Sequence, residues 1–335
     1  MGIKQGKIYS RVRVPLGEVV PRNAPFSVQI DLCSLCNMKC EFCFHSDTTA
    51  IREAGVKYGS MSFELFQKII DDMKQAWGGT GEVKKLKLFQ IGESLLNPQV
   101  TEMIRYAKEA NVCECIELTT NGTLLNPELN QKLIDAGLDI LNISVNGINS
   151  QQYLDKCAYQ IDFATFLAHI QQFYEHKKQC RVQIKLSDTG FSPAEVETFY
   201  KLFENYCDEI FAENISSVMW QDTNVNEKVE YIDKGLYGQE IQYKHVCPFL
   251  FTTLIINSQG AAHICCLDWK MEYPIGNLTE ESIAEVWHGD RLRNFQRIHL
   301  SKNRSQIKIC EHCESPMVST TDDIDEQADE ILKRL

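Results

Sequence analysis

Residues 31–46 read D-L-C-S-L-C-N-M-K-C-E-F-C-F-H-S and hold four cysteines, Cys33, Cys36, Cys40 and Cys43. The last three are spaced C-x3-C-x2-C, with the aromatic Phe42 directly before the final one. A [4Fe–4S] cube normally takes one thiolate per iron. Three thiolates on one short loop therefore suit a cluster that leaves one iron open, and an open position separates a reactive site from a structural one. The competing reading is a zinc site with Cys33 as its fourth ligand. Zinc favours two pairs of ligands separated by a longer loop, and four cysteines packed this closely would strain a tetrahedron. Cys33 then reads as a small buried apolar residue at a strand end.

The elements around this loop alternate. F-S-V-Q-I-D-L (26–32) reads as a strand feeding the cysteines. Ser62 is placed to cap a helix that carries Phe63, Phe66, Ile69, Ile70, Met73 and Trp77 on one face and stops at Gly78-Gly79. K-L-K-L-F-Q-I (85–91) is a second strand; Val100, Met103, Ile104 and Ala107 mark an amphipathic helix; 113–119 is a third strand. Asn126, Pro127 and Gly137 delimit the next helix. The fourth strand, 139–146, has a period of two that places Asn142, Ser144 and Asn146 on one face and Leu141, Ile143 and Val145 on the other. A helix over 163–177 and a strand over 180–187 follow. Ser192 and Glu195, with Pro193 between them, form a capping box ahead of Val196, Phe199 and Phe203. I-S-S-V-M-W-Q (215–221) is the expected sixth strand. Six β-α units in succession imply parallel strands with right-handed crossovers. The expected fold class is α/β: a partial (β/α)6 TIM-like barrel, to which a family resemblance of the later cysteines, Cys247 to Cys313, adds a small C-terminal α+β cluster-binding domain. Its chemistry would lie at the C-terminal ends of the strands, where the cysteine loop falls. The divisions read as an N-terminal arm (1–25), the barrel (26–225), the C-terminal domain (226–318, its first part a polar linker) and an acidic tail or terminal helix (319–335).

The cysteine loop, with its aromatic and its preceding strand, resembles the signature of the radical S-adenosylmethionine (SAM) enzymes. The resemblance implies that Cys36, Cys40 and Cys43 ligate a [4Fe–4S] cluster whose open iron chelates SAM, and that Phe42 lies near the adenine. It also implies a SAM-binding role for the turn at Gly92 and Glu93, where a carboxylate and backbone carbonyls suit an ammonium and glycine permits close approach. An ordinary turn is the plainer reading of that dipeptide. Asn121, in T-T-N-G-T (119–123), is a further candidate SAM contact, with a tight Asn-Gly turn as its alternative. Ser144 and Asn146 are candidates for the ribose hydroxyls or the SAM carboxylate, with a water-filled interior as the alternative. Gln183, Lys185, Trp220, Gln221 and Asp222 stand near later strand ends as undistinguished substrate-contact candidates. Cys247 opens C-x12-G-x4-C, ending at Cys265, and Cys310 and Cys313 follow as C-E-H-C. Together these four resemble the auxiliary-cluster extension of some radical SAM enzymes, called SPASM or, when shortened, twitch. The resemblance implies one fully ligated auxiliary [4Fe–4S] cluster on Cys247, Cys265, Cys310 and Cys313. It also places Gly260 in a hairpin turn and a helix near 279–298 beside the cluster. Ser319 stands where the full pattern has its next cysteine, and no cysteine follows Cys313. Cys266 is an alternative to Cys265, and zinc is the alternative occupant.

Composition narrows the setting. The chain has 335 residues, 44% hydrophobic and 24% charged, as in ordinary globular proteins. Its net charge of −12 and lack of a basic block disfavour a nucleic-acid partner. Fourteen cysteines without a secretory signal point to metal or catalysis in a reducing cytoplasm rather than a disulfide framework. No apolar run is long enough to span a bilayer, so no membrane partner is expected. The short stretch before the first strand is too small for a leader-peptide domain. The reaction the resemblance implies is reductive cleavage of SAM, and the short N-terminal stretch with a single auxiliary cluster favours, among that family's chemistries, two-electron oxidation of an alcohol on a sugar- or cyclitol-like small molecule. The auxiliary cluster would accept an electron, and a flavodoxin or ferredoxin would supply reductant. The alternatives are radical modification of a peptide or protein side chain, radical epimerisation, and a non-enzymatic iron–sulfur carrier. No residue stands out as the catalytic base.

Overall fold

A computed structural model describes residues 14–213, 220–225, 234–236 and 239–335. Nine strands form one sheet: β1 (Ser27–Ile30), β2 (Lys85–Leu88), β3 (Cys115–Thr120), β4 (Ile140–Val145), β5 (Arg181–Ser187), β6 (Glu209–Glu213), β7 (Thr253–Ile256), β8 (Ala261–His263) and β9 (Pro274–Asn277). Their spatial order is β6-β5-β4-β3-β2-β1-β7-β8-β9. The first six are parallel and adjacent in chain order, as a partial α/β barrel requires. β7 then adds to the free edge of β1, also in parallel, and β8 and β9 continue antiparallel. The C-terminal hairpin thus extends the barrel sheet and covers its exposed edge.

Alternation decides what each face carries. Val28, Ile30, Leu86, Leu88, Ile116, Leu118, Leu141, Ile143, Val182 and Ile184 are buried in one continuous core. The helix Phe63–Trp77 contributes Phe66, Ile69, Ile70, Met73 and Trp77 to that core; Phe63 is only half-buried. Ser62 caps this helix through the Leu65 N–H at 3.2 Å. Asn126 caps Pro127–Asp135, and Ser192 and Glu195 form the capping box of Pro193–Phe203. The opposite face of the strands is polar. In register across it lie Gln29, Lys87 and Glu117, then Thr119, Asn142, Gln183 and Glu209. Lys85 pairs with Glu117 at 2.6 Å, Gln183 with Glu209 at 2.5 Å and Lys185 with Glu213 at 2.6 Å. The barrel interior is therefore a ring of charged and amide groups that largely satisfy one another.

Several expectations need correction. The sixth strand of the sheet is E-I-F-A-E (Glu209–Glu213), ahead of the expected 215–221. Asp208 anchors it early, its carboxylate accepting the Val182 N–H at 2.7 Å, so pairing with β5 begins at once. Residues 215–219 lie outside the described residues, and Trp220, Gln221 and Asp222 occupy a turn region rather than a strand end. The helix near 279–298 is two helices, Ile283–His288 and Asp290–Leu300, separated at Gly289, whose extended backbone also serves as the N-cap of the second. The helices Thr48–Ala54 and Ser150–Cys157 were not anticipated, because their short polar sequences lack a clear apolar stripe. The acidic tail ends in a helix, Ala328–Arg334, and Ile324 and Ile331 are fully buried.

Candidate active site: two thiol clusters at one end of the barrel

The cysteine loop leaves β1 and is held on every side. Ser34 accepts the Gly59 N–H at 3.0 Å, donates its own N–H to the Gly59 carbonyl at 2.9 Å, and meets Ser258 Oγ at 2.8 Å. Asn97 donates to the carbonyls of Leu32 and Met61, both at 2.9 Å. The Lys39 and Glu41 N–H groups donate to the carbonyls of Cys157 and Lys156 at 2.8 Å, so the end of the Ser150–Cys157 helix supports the middle of the loop. Asn37 and Thr123 close a polar knot with Asn121: Asn121 Nδ2 donates to Asn37 Oδ1 at 2.9 Å, and Asn37 Nδ2 to Thr123 Oγ1 at 2.8 Å. Such loops carry function when a rigid scaffold positions them.

Gly92 explains itself by distance. A Cβ there would lie 2.1 Å from the Cys33 carbonyl oxygen and 2.5 Å from that of Leu35. The turn after β2 thus packs directly beneath the cysteine loop. Glu93 follows, 2% exposed, its N–H donating to the Leu35 carbonyl at 2.8 Å. Its carboxylate accepts from Leu95 N at 3.0 Å, Thr120 Oγ1 at 2.7 Å and Asn121 N at 2.7 Å. Burial pushes this carboxyl's pKa up, against the pull of those three donors. Three donors leave the carboxylate room for one more, since it offers about four acceptor positions. Gly92, Glu93 and Asn121 therefore form one unit that fastens the ends of β2 and β3 to the cysteine loop. Asn146 sits beside the loop, its amide 3.8 Å from Cys40 Sγ. Ser144 and Phe42 are half-buried nearby on β4 and in the loop.

Burial raises the Cys36 thiol to about 11 and the Cys43 thiol to about 12. Cys40 is raised further by its hydrogen bond with Cys157 and by burial. Cys33 turns away: it is 1% exposed and accepts from Ser60 Oγ at 3.3 Å. No three His, Cys, Asp or Glu side chains among the described residues converge as a single metal ion would require. A cube asks for something different, because each thiolate takes its own iron. Three free thiols on a clamped loop, Cys40 buried and Cys36 and Cys43 half-buried, fit that demand, and the loss of their protons would accompany cluster binding.

The second thiol set is built by the hairpin and the residues beyond it. Gly260 turns the hairpin at φ +90°, and a Cβ there would crowd Thr279 and Leu65. Cys265 Sγ accepts the Leu267 N–H at 3.3 Å, while its hydrogen bond to Cys266 and burial hold its thiol well above the usual range. Cys266 adjoins it and faces Lys87; its pKa is lowered by the hydrogen bond from Cys265 and, less, by that lysine. Burial raises Cys247 to about 12 and also raises Cys310 and Cys313. Cys310 and Cys313 bracket the end of the short helix Lys308–Glu311. The buried Arg304, 3% exposed, leaves its Nε without an acceptor beside these thiols. An orphaned buried cation next to four free thiols fits an anionic cluster there. Asp268 fixes the loop after Cys266, bonding His263 at 3.0 Å and the N–H groups of Glu272 and Tyr273 at 3.0 and 2.9 Å.

The two sets are joined by an aromatic contact. Phe44, next to Cys43, stacks on Trp269 at 5.2 Å and 23°, and Trp220 closes on Phe44 at 5.0 Å. Tyr58 donates to the Trp269 carbonyl at 3.0 Å, and Trp269 Nε1 to the Gln221 carbonyl at 3.0 Å. Asp222 pairs with Lys270 at 2.7 Å and Lys308 at 3.2 Å. Trp220, Gln221 and Asp222 therefore secure the second loop rather than line a strand end. Gln183 and Lys185 face the interior but are engaged by Glu209 and Glu213.

Sequence reasoning missed four residues. Asp31, ending β1, is fully buried with both carboxylate oxygens unpartnered, and burial pushes it up to about 7. Lys87 forms no ion pair among the described residues; the K-L-K-L alternation of β2 was its signal. Arg304 and Asp325 had no local signal: Asp325 acts on His245 and Val246, far back in the chain, and Arg304 bonds Cys313 while lying against the distant Tyr243.

Comparison with known proteins agrees with this geometry. The model of the radical SAM superfamily matches residues 31–202, and SPASM, an iron–sulfur cluster-binding domain, matches 247–314. A tungsten-containing aldehyde ferredoxin oxidoreductase cofactor-modifying protein of Pyrococcus furiosus is 22% identical, covering 88% of this chain and 89% of its own length. The fold is shared with the Streptococcus suis protein SuiB bound to the precursor peptide SuiA: TM-score 0.63, 16% identity, covering 83% of this chain and 68% of that one. It is also shared with BtrN in complex with AdoMet and 2-DOIA: TM-score 0.55, 15% identity, 90% and 98% coverage.

Proposed function

We propose, for a chain that belongs to the radical SAM superfamily, that its reaction is the two-electron oxidation of an alcohol on a sugar- or cyclitol-like small molecule. When bound, SAM and the two clusters supply a 5′-deoxyadenosyl radical and an electron acceptor. To reach the ketone the alcohol would lose its carbinol hydrogen, its hydroxyl proton and one further electron, and one-electron acceptance is what a cluster held by Cys247, Cys265, Cys310 and Cys313 would supply. The observation that carries this reading is the stacking of Phe44 on Trp269 at 5.2 Å, which brings the two thiol loops together at one end of the barrel. An acceptor packed against the radical source suits oxidation better than a redox-neutral reaction.

The chain's own residues have distinct tasks in this scheme. Cys36, Cys40 and Cys43 would hold the SAM-binding cluster, and Cys247, Cys265, Cys310 and Cys313 the auxiliary one. Gly92, Glu93, Asn121, Ser144, Asn146 and Phe42 would frame SAM at the ends of β2, β3 and β4. The polar interior supplies hydrogen-bond partners for hydroxyl groups, and Lys87 supplies a cation without a carboxylate of its own. A flavodoxin or ferredoxin in the cytoplasm would deliver the reducing electron. No helix among the described residues is long and apolar enough to cross a membrane.

The test uses anaerobically reconstituted full-length protein with candidate alcohols deuterated at the carbinol carbon. Deuterium should pass into 5′-deoxyadenosine, with ketone formed in equal amount. Recovery of substrate at its original oxidation state, with deuterium washed out, would refute oxidation and favour epimerisation.

A further inference from the structure

The buried cation of the second thiol site has no counter-ion among the described residues. Arg304 Nη1 donates to the Cys313 carbonyl at 2.9 Å, its guanidinium lies 5.1 Å from the Tyr243 ring centre, and its Nε finds no acceptor. No carboxylate pairs with it among the described residues. An arginine cannot shed its proton, and a buried charge without a partner is costly. Its field nevertheless reaches Cys247, Cys310 and Cys313, opposing in each the upward push of burial.

Of the other basic groups nearby, Lys87 lies toward Cys266, on the side of the site away from Cys313. Lys244 donates to the Thr320 carbonyl at 2.8 Å and faces Asp322, Asp323 and Asp325. His299 receives the Cys247 N–H on Nδ1 at 3.2 Å, which places its own proton on Nε2 and leaves the ring neutral. Arg304 is thus a fixed positive charge aimed at the thiols.

We propose that Arg304 sets the reduction potential of the auxiliary cluster, its buried charge making that cluster easier to reduce. The proposal rests on the reading that Cys247, Cys265, Cys310 and Cys313 hold the cluster. The reduced form carries one more negative charge than the oxidised form, so a neighbouring cation stabilises it more. Net charge and hydrogen bonding around the sulfurs are the levers by which proteins tune such clusters. Arg304 acts here as a tuning and positioning residue, not as a catalytic one.

The experiment is a potentiometric titration followed by electron paramagnetic resonance on the reconstituted full chain, with iron counted for each sample. Arg304→Gln should keep the iron of both clusters and lower the auxiliary midpoint. At a fixed poise its reduced-to-oxidised ratio should fall at least ~10-fold, or about 59 mV for one electron. Arg304→Lys keeps the charge without the planar fork and should stay near wild type. An unchanged midpoint in Arg304→Gln overturns the proposal. So does an equal fall in both variants, or loss of the auxiliary iron from Arg304→Gln, because either makes Arg304 a scaffold for the loop. Wild-type protein with iron for only one cluster overturns the ligand reading itself, an outcome separate from the others.

Discussion

Replacing Gly92 by alanine tests the contact between the turn after β2 and the cysteine loop. The added Cβ would meet the Cys33 carbonyl oxygen at 2.1 Å, the Leu35 carbonyl oxygen at 2.5 Å and the Ser34 carbonyl carbon at 2.6 Å. All three atoms belong to the backbone, so no rotamer change relieves the clash. The loop itself must move. Overpacking of this kind costs ~1–3 kcal/mol, and losing the Glu93-to-Leu35 hydrogen bond adds about 1 kcal/mol. Unfolding entropy of ~2.1 cal/mol/K per residue gives about 0.7 kcal/mol/K for 335 residues. The midpoint of thermal unfolding should therefore fall by roughly 3–6 °C. Displacing the loop also spreads Cys36, Cys40 and Cys43, so the variant should bind about four fewer irons after reconstitution and lose SAM cleavage. The auxiliary iron should remain, because no atom of that site is touched. Scanning calorimetry and iron analysis under anaerobic conditions measure both effects. A Gly92→Ala protein with wild-type midpoint and full iron would refute the reasoning that this glycine is demanded by the loop above it.

Two further perturbations address the groups that sequence reading passed over. Asp31 is raised by burial from 3.8 to about 7, so the stability that its protonated form contributes is complete below 3.8 and is lost as pH rises to about 7. Asp31→Asn removes that dependence, and its thermal midpoint should exceed that of wild type at pH 8 while the two converge near pH 4; parallel curves across that range would exclude the effect. Asp325 accepts the N–H groups of His245 and Val246, both at 2.8 Å, just before Cys247. Asp325→Ala should cost about 2–3 kcal/mol and speed the loss of auxiliary iron to a chelator, with the primary iron released at the wild-type rate.

Much of the site was legible because its signals are local. C-x3-C-x2-C lies within a single loop, and capping residues such as Ser62, Asn126 and Ser192 act within one helical turn. Alternation in D-I-L-N-I-S-V-N fixed which face of that strand is apolar and placed Asn142 on the other. The strand E-I-F-A-E was passed over because I-S-S-V-M-W-Q has comparable strand character, and pairing with β5 is what identifies the first. The short helices Thr48–Ala54 and Ser150–Cys157 gave no strong periodicity, yet the second supports the cysteine loop through backbone bonds that no side chain announces.

By itself, the sequence determined the two cysteine patterns, the succession of β-α units and the faces of the strands, because spacing and periodicity are properties of neighbouring residues. Only the tertiary structure decided that β7 joins β1, that Phe44 meets Trp269, that Asp325 holds the approach to Cys247, and that Arg304 lies against Tyr243 with its field on Cys247. Each of these brings together segments far apart in the chain. Their energies come from burial and charge, which have no value until the surrounding shape exists.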